Sequence, residues 1–108
     1  MKLDIHPSNH SAMEKKHYAQ VHIYVSGRVQ GVGFRFFTIH CARSFSVTGW
    51  VKNLYDGRVE IEAEGEIPNL RMFLDEIRIG PAHAHVSHVS DQWCEIASPK
   101  YRDFSLSY

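Results

Sequence analysis

The chain is 108 residues long, which suits one domain with a single two-layer core. Its 12 basic and 12 acidic side chains cancel, so the composition gives no electrostatic signal for nucleic acid or an anionic membrane surface. No apolar run approaches the length of about 18 residues that suggests a membrane span, and the N-terminus lacks a secretory signal pattern. We therefore expect a cytoplasmic monomer that binds neither nucleic acid nor membranes.

Two cysteines and eight histidines raise separate chemical questions. Cys41 and Cys94 lack the spacing of a disulfide framework, and we interpret both as reduced packing residues. His83, His85 and His88 form the densest His cluster, and the first two would share a strand face. No Cys or carboxylate lies beside them at ligand spacing, so a surface strand is favoured over a metal site.

The N-terminal half predicts an extension, a strand, a loop and a helix. Residues 1–17 show no hydrophobic period and are interpreted as a flexible extension, followed by one domain over residues 18–108. Residues 19–26 alternate apolar and polar side chains, as in a strand with one buried face. After a glycine-containing loop, a helix is predicted over residues 34–44. Its inner face is made by Phe34, Phe37, Thr38, Cys41, Ala42 and Phe45.

The next segments predict two strands joined by a hairpin. The first covers residues 47–53 and ends at Asn53, and residues 54–57 form a hairpin connection with a glycine at its last position. The strand that follows alternates most regularly, with Val59, Ile61 and Ala63 on its buried side. We interpret the opposite side as a solvated face rather than a metal site, with Glu60, Glu62 and Glu64 on it.

The C-terminal half predicts a helix and two further strands. The helix opens near Pro68 and ends at Gly80-Pro81. A strand over residues 84–93 has two valines out of period, which indicates a bulge or a frayed edge, and a short last strand covers residues 104–108. The order β-α-β-β-α-β predicts an α+β fold, the ferredoxin-like split β-α-β sandwich. This fold has an antiparallel sheet with two helices on one face, here with a short C-terminal extra strand.

The loop between the first strand and the first helix has the features of an anion site. Its glycines can take positive φ and turn backbone N–H groups toward one centre. The helix that begins at Phe34 adds unpaired N–H donors and the positive end of its dipole. Arg35, in the first helical turn, can hold two oxygens with its guanidinium. An ordinary strand-to-helix turn with one solvated arginine shares these features, so glycines alone do not decide the matter.

Three stretches together resemble the acylphosphatase family. They are residues 27–35 (GRVQGVGFR), 49–53 (GWVKN) and 56–60 (DGRVE), in the family's order and at its separation. The resemblance covers residues 18–108 and implies an enzyme that hydrolyses the carboxyl-phosphate bond of small acyl phosphates to carboxylate and inorganic phosphate. A carboxylate leaving group, with a pKa near ~4, departs without a strong acid. The chemistry therefore requires no metal and no cofactor.

The resemblance also implies the site residues, position by position. Arg35 matches the catalytic arginine that holds the phosphate, and Asn53 matches the asparagine that orients the attacking water. Many family members have Arg before the terminal Tyr, where this chain has Ser107 and so lacks that guanidinium. The family's phosphate-binding cradle corresponds to Arg28, Val29, Gln30, Gly31, Val32, Gly33 and Phe34.

Two other functions remain open. The same fold hosts non-catalytic binding modules for RNA or phosphorylated ligands, and residues 32–36 superficially resemble an RNA-binding aromatic motif. Such a motif belongs on the third strand, where this sequence has acids. The chain could also be the acylphosphatase-like segment of a larger carbamoyl-transferring maturation protein, although it carries none of that protein's zinc-finger or later domains.

Overall fold

The computed structural model describes residues 15–108, so most of the extension predicted over residues 1–17 lies outside the described residues. All predicted elements are present, with ends shifted by a few residues. No helix in the described part of the chain is long and apolar enough to cross a bilayer. In chain order the elements are β1 (Tyr18–Arg28), α1 (Phe34–Ser44), β2 (Thr48–Asn53), β3 (Val59–Glu66), α2 (Ile67–Ile79), β4 (His85–Ile96) and β5 (Phe104–Leu106).

The strands form one sheet in the order β4-β1-β3-β2-β5. β1 and β2 are each antiparallel to β3, which lies between them, so α1 connects two parallel strands that are not neighbours. This is the split β-α-β arrangement, and the predicted ferredoxin-like α+β fold is confirmed. One edge differs from the expected antiparallel pairing. β2 and β5 are parallel because the chain crosses the sheet after β4 and enters the opposite edge in the direction of β2.

Both helices pack on the same face of the sheet and enclose the core. Alternation along β1 and β3 places every second residue of these strands there. Phe73 of α2 contacts Phe104 of β5, with ring centroids 6.0 Å apart. Burying a side chain of this size stabilises the fold by about 1.5–3 kcal/mol. The buried hydrophobic residues of β1, β2 and β3 are Ala19, Val21, Ile23, Val25, Val51, Val59, Ile61 and Ala63.

The opposite face of the sheet is covered at its centre by the segment that joins β4 to β5. Glu64 of β3 is only 1 % exposed. Its carboxylate accepts hydrogen bonds from Gln20 Nε2 at 2.7 Å and from the Lys100 backbone N–H at 2.8 Å. Tyr101 donates its hydroxyl hydrogen to Glu62. The prediction that the acids of β3 form a solvated face is therefore wrong, because local alternation does not reveal a segment that crosses from far along the chain.

Polar and aromatic side chains on neighbouring strands complete this surface. His22 lies between two carboxylates, with Nε2 2.6 Å from Glu60 and Nδ1 3.4 Å from Glu62. The Tyr24 hydroxyl donates to Glu60 at 3.1 Å, and this hydrogen bond raises the pKa of Tyr24 above its ordinary value. Burial, and then the bond to Glu62, raise the pKa of Tyr101. We call this surface the open face; it consists of Gln20, His22, Tyr24, Trp50, Glu60, Glu62, Glu64 and Tyr101.

The two thiols have different surroundings. Cys41 is buried on α1, and burial raises the pKa of its thiol. Cys94 is exposed on β4, so its interpretation as a packing residue is wrong. β4 is an edge strand, and the side of it that faces away from the core is open to solvent. Both thiols are free, as expected.

The His cluster lies at the edge of the sheet. His85 and His88 are exposed on β4, whereas His83 precedes the strand in a turn, so the predicted shared strand face of His83 and His85 is not formed. Within residues 15–108, no group of three or more His, Cys, Asp or Glu side chains is arranged to hold a metal ion. The irregularity predicted for the strand that follows the cluster, β4, is confirmed: its register with β1 shifts between Ser26 and Gly27.

Candidate active site

The loop from β1 to α1, residues 29–33, turns at two glycines. Gly31 has φ 73° and Gly33 has φ 80°, in the left-handed region that residues with a Cβ rarely adopt. Gly33 is the N-cap of α1 and has no side chain to accept hydrogen bonds from the first N–H groups of the helix. The first turn of α1 contains no acidic residue. Its N–H donors and the positive end of its dipole are therefore available to an anion.

Two adjoining cavities lie at this end of the sheet. The small cavity has a volume of about 110 Å³ and the large cavity a volume of about 580 Å³. Arg35 and Asn53 line both. The small cavity is also lined by Val29, Gly31, Gly33, Phe34 and Phe36. The large cavity is also lined by Gln30, Lys52, Leu54, Tyr55, Ser107 and Tyr108.

The sheet brings the β1–α1 loop and the end of β2 to the same level. Val59 of β3 pairs with Val25 of β1 on one side and with Asn53 of β2 on the other. Two strand spacings separate β1 from β2, which is about 10 Å. The loop that follows β1 has to bend across this gap, and the two left-handed glycines allow that bend.

Arg35 and Asn53 are the polar pair that this geometry brings together. Arg35 is half-buried in the first turn of α1, and none of the ion pairs among residues 15–108 includes it. The Oδ1 atom of Asn53 is buried and has no hydrogen-bond partner among the described residues. Leaving a buried acceptor without a partner costs about 1–3 kcal/mol. This atom is therefore available to a ligand or to a water molecule.

The charged side chains that line the cavities are positive. They belong to Arg35 and Lys52, and no Asp or Glu from the described part of the chain lines either cavity. Lys52 Nζ lies 3.9 Å from Glu60 on the open face, which screens part of its charge. Both the lining charges and the α1 dipole thus favour an anionic ligand.

The hairpin after β2 is attached to the β1–α1 loop by Gln30. Its Nε2 donates to the backbone oxygen of Leu54 at 2.8 Å and to that of Arg58 at 2.9 Å. Within the hairpin, the backbone N–H of Arg58 donates to Asp56 Oδ1 at 3.1 Å. This bond lowers the pKa of Asp56 below its ordinary value. Asn53 therefore precedes a hairpin that is held both internally and by the loop.

Most of the predicted cradle residues line a cavity, but Arg28 and Val32 do not. Arg28 is exposed at the end of β1, opposite His85 of β4. Val32 packs against the core. The predicted cradle residues that do line a cavity are Val29, Gln30, Gly31, Gly33 and Phe34.

Several lining residues were missed by the sequence reasoning. Lys52 and Tyr55 flank Asn53 along the chain, and their proximity to it was the available signal. Phe36 directly follows Arg35, and Tyr108 directly follows Ser107, so the same signal was available for both. Ser107 lines the large cavity, so the position where many family members have Arg lies at this site.

Comparison with known proteins gives the family. The model of the acylphosphatase family matches residues 21–106. The chain belongs to the acylphosphatase family. A curated acylphosphatase from Bifidobacterium longum (strain NCC 2705) is 49% identical over 85 residues, which cover 79% of this chain and 88% of that protein. The prediction of an enzyme of this class is confirmed.

Solved structures share the fold. Acylphosphatase from Bacillus subtilis matches with a TM-score of 0.78 and 41% identity, over 83% of this chain and 99% of that one. Full-length HypF, in its phosphate- and nucleotide-bound form, matches with a TM-score of 0.76 and 26% identity. That match covers 88% of this chain but 12% of HypF. The similarity thus extends over nearly the whole of a small acylphosphatase and over a small part of HypF.

Proposed function

We propose that this chain hydrolyses small acyl phosphates without a metal ion, using a water molecule held by Asn53 as the nucleophile. The observation that carries the proposal is the buried Oδ1 of Asn53, which lacks a partner among residues 15–108 and lies at a cavity that Arg35 also lines. An amide oxygen accepts hydrogen bonds but takes up no proton near neutral pH, so Asn53 orients the water and does not act as a base.

The phosphoryl group lies in the small cavity. Backbone N–H groups of the cradle residues that line a cavity and the N-terminus of α1 donate to its oxygens, and the guanidinium of Arg35 donates to two of them. In phosphoryl transfer the charge of the moving group stays on these oxygens. The same donors therefore stabilise the bound substrate and the transition state.

The reaction exchanges one phosphorus–oxygen bond for another. The water oxygen forms a bond to phosphorus while the bond from phosphorus to the acyl oxygen breaks, and the electron pair of that bond leaves with the carboxylate. The proton of the water is taken by a phosphate oxygen. Asn53 holds the water opposite the leaving oxygen, so that the displacement is in line.

The leaving group explains why so few side chains are needed. A carboxylate with a pKa near ~4 is stable once released, so neither a general acid nor a Lewis acid has to assist its departure. The acyl group extends from the small cavity into the large cavity, whose volume of about 580 Å³ accommodates more than one kind of acyl chain.

The alternative of an RNA-binding module receives no support from the sheet. Such modules stack bases on aromatic side chains of their central strands. Here the central strand β3 carries Glu60, Glu62 and Glu64 on the open face, and Tyr101 packs over it. A carboxylate row repels the phosphate backbone of a nucleic acid.

The test is release of inorganic phosphate from acetyl phosphate, with p-nitrophenyl phosphate as the ester control. We expect hydrolysis of acetyl phosphate and not of p-nitrophenyl phosphate. The rate should be unchanged in EDTA, and inorganic phosphate should inhibit the reaction in competition with the substrate. Loss of activity in EDTA that Mg²⁺ or Zn²⁺ restores would overturn metal independence. Inhibition that more substrate does not relieve would contradict the phosphate site.

Labelled water tests the bond that breaks. In H₂¹⁸O, attack at phosphorus places the label in phosphate and leaves the released acetate unlabelled. Label in acetate would mean attack at the carbonyl carbon, and the role assigned to Asn53 would then be wrong.

A further inference from the structure

The side chain of Gln30 joins the two halves of the proposed site. Its amide nitrogen has two hydrogens, and both are used: one is donated to the backbone oxygen of Leu54 at 2.8 Å and the other to that of Arg58 at 2.9 Å. Because both partners are carbonyl oxygens, the NH₂ group of Gln30 and not its oxygen must face them. The orientation of the Gln30 amide group is therefore fixed by its two hydrogen-bond partners.

The hairpin does not depend on Gln30 for its own hydrogen bonds. The backbone oxygen of Arg58 already accepts from the Leu54 N–H at 2.8 Å, and the backbone oxygen of Leu54 accepts from the Gly57 N–H at 3.2 Å. Gln30 uses the second lone pair of each carbonyl. The hairpin can thus close without Gln30, and what Gln30 adds is a fixed distance between the hairpin and the loop.

Each end of this link lies next to a functional group. On the loop side, Gln30 stands between Val29, which is anchored in the core at 1 % exposed, and the left-handed Gly31. On the hairpin side, Leu54 follows Asn53 directly. A shift of the hairpin relative to the loop would therefore move Asn53 Oδ1 relative to the phosphate donors.

We propose that Gln30 is a positioning residue that fixes Asn53 in line with the bound phosphoryl group. This role rests on the proposed function and concerns the side chain of Gln30, separately from the backbone N–H that it contributes to the cradle. A displacement of about 1 Å in such a site can cost up to about 10²-fold in rate. Phosphate binding, which depends on the loop and on Arg35, should be little affected.

The first experiment replaces the amide while keeping the length of the side chain. Gln30→Met is unbranched, neutral and unable to donate a hydrogen bond. We expect kcat for acetyl phosphate to fall about 10- to 100-fold while the inhibition constant for inorganic phosphate changes less than about threefold. Gln92→Met is the matched control, because Gln92 is exposed on β4 and lines neither cavity, and it should keep wild-type kcat.

A double-mutant cycle separates positioning from a general structural effect. If Gln30 acts through Asn53, Gln30→Met should lower kcat less than about threefold in a protein that already carries Asn53→Ala. The same fall in kcat in both backgrounds would show that Gln30 acts independently of Asn53. That result would overturn the proposal, as would a phosphate affinity that falls in step with kcat.

Folding and the proposed function are checked separately. Gln30→Ala is the second variant. Circular dichroism and urea titration monitor the folding of Gln30→Met and Gln30→Ala. If neither variant folds, the link is structural and the proposal is wrong. If the wild type releases no phosphate from acetyl phosphate, the proposed function fails. If the wild type is active and Gln30→Met keeps its kcat, only the role of Gln30 fails.

Discussion

The open face and the candidate active site treat buried polar groups in opposite ways. On the open face, Glu64 is 1 % exposed and its carboxylate accepts from Gln20 and from the Lys100 N–H. At the active site, the buried Oδ1 of Asn53 has no partner among residues 15–108. Both residues belong to neighbouring strands of the same sheet. A fold that provides partners for one and not for the other marks the second as a place where a ligand completes the structure.

The charged groups differ in the same way. His22 lies between Glu60 and Glu62, so charges of the open face are paired within the protein. Arg35 forms no ion pair with another residue of the described chain, and it lies in the first turn of α1, which contains no acidic residue. Substitutions on the open face should therefore change stability, and substitutions at the active site should change activity.

The largest effect should come from the two polar side chains of the active site. Arg35→Ala should weaken phosphate binding about 10- to 100-fold and abolish most turnover, because in the proposed mechanism the guanidinium contacts the phosphoryl group before and during the reaction. Asn53→Ala should leave phosphate affinity within a few-fold while kcat falls by roughly 10² or more. Phosphate titrations and initial rates on folded variants separate the two roles.

Two outcomes would contradict this division. Equal loss of phosphate affinity in both variants would make Asn53 a ligand of the substrate and not of the water. Unchanged turnover in Asn53→Ala would leave Asn53 as no more than the end of a strand. In either case the contrast between a satisfied open face and an unsatisfied active site would lose its functional meaning.

The second prediction tests the open face. Glu64→Ala leaves the Lys100 N–H and the Gln20 amide without their shared acceptor, and the free energy of unfolding should fall by about 2 kcal/mol. kcat measured where the variant is folded should stay at the wild-type value, since Glu64 lines neither cavity. Urea unfolding and initial rates are the measurements. A variant of full stability would mean that this buried carboxylate is not needed to fix the crossing segment.

The sequence predicted the strands and helices because their information is local. The alternation along β1 and β3 and the helical spacing from Phe34 each reflect a buried face within about ten residues, and the structure follows them. The parallel pairing of β5 and the burial of Glu64 depend on a segment that crosses the sheet from the other edge. Such a contact leaves no periodic pattern in the sequence of β3, and so the sequence alone makes the acids of β3 look like a solvated face.

The candidate site divides along the same line. Arg35 and Asn53 could be named from the sequence because each stands in a short stretch that resembles the family. The bridge from Gln30 to Leu54 and Arg58 spans more than 20 residues, and only the structure reveals it. The presence of the C-terminal residues Ser107 and Tyr108 in the lining likewise depends on where distant segments meet. Resemblance therefore indicated the chemical groups, whereas the structure provides their arrangement.

The third prediction concerns the loop conformation. A Cβ at Gly31 would meet no atom of the described chain within 4 Å. A larger residue is therefore disfavoured by the positive φ at this position and not by a steric clash with neighbouring atoms. Gly31→Val should weaken phosphate binding about tenfold, because a residue with a Cβ pays about 1–2 kcal/mol at positive φ and shifts the loop N–H groups. Calorimetric titration with phosphate measures this, and far-UV circular dichroism should be unchanged. Wild-type phosphate affinity would show that the glycine is incidental.

The smallest effect should come from Tyr101, and it depends on pH. The folded protein raises the pKa of Tyr101 above its ordinary value of about 10, first through burial and then through the bond to Glu62. Folding therefore favours the protonated hydroxyl, and the resulting stability is present below the unfolded pKa and is lost as pH rises through the folded pKa. Tyr101→Phe should lower the free energy of unfolding by about 0.5–1.5 kcal/mol at pH 8.

The pH profile decides whether that loss belongs to the hydroxyl. Urea unfolding of the wild type between pH 8 and 11 should show stability decreasing toward the alkaline end, and Tyr101→Phe should flatten part of this decrease because it has no proton to lose. Tyr18→Phe is the matched control, since Tyr18 lies on β1 and is not bonded to Glu62. If the alkaline slope of Tyr101→Phe equals that of the wild type, the hydroxyl is not coupled to folding, and the open face is held by its carboxylates and their other donors alone.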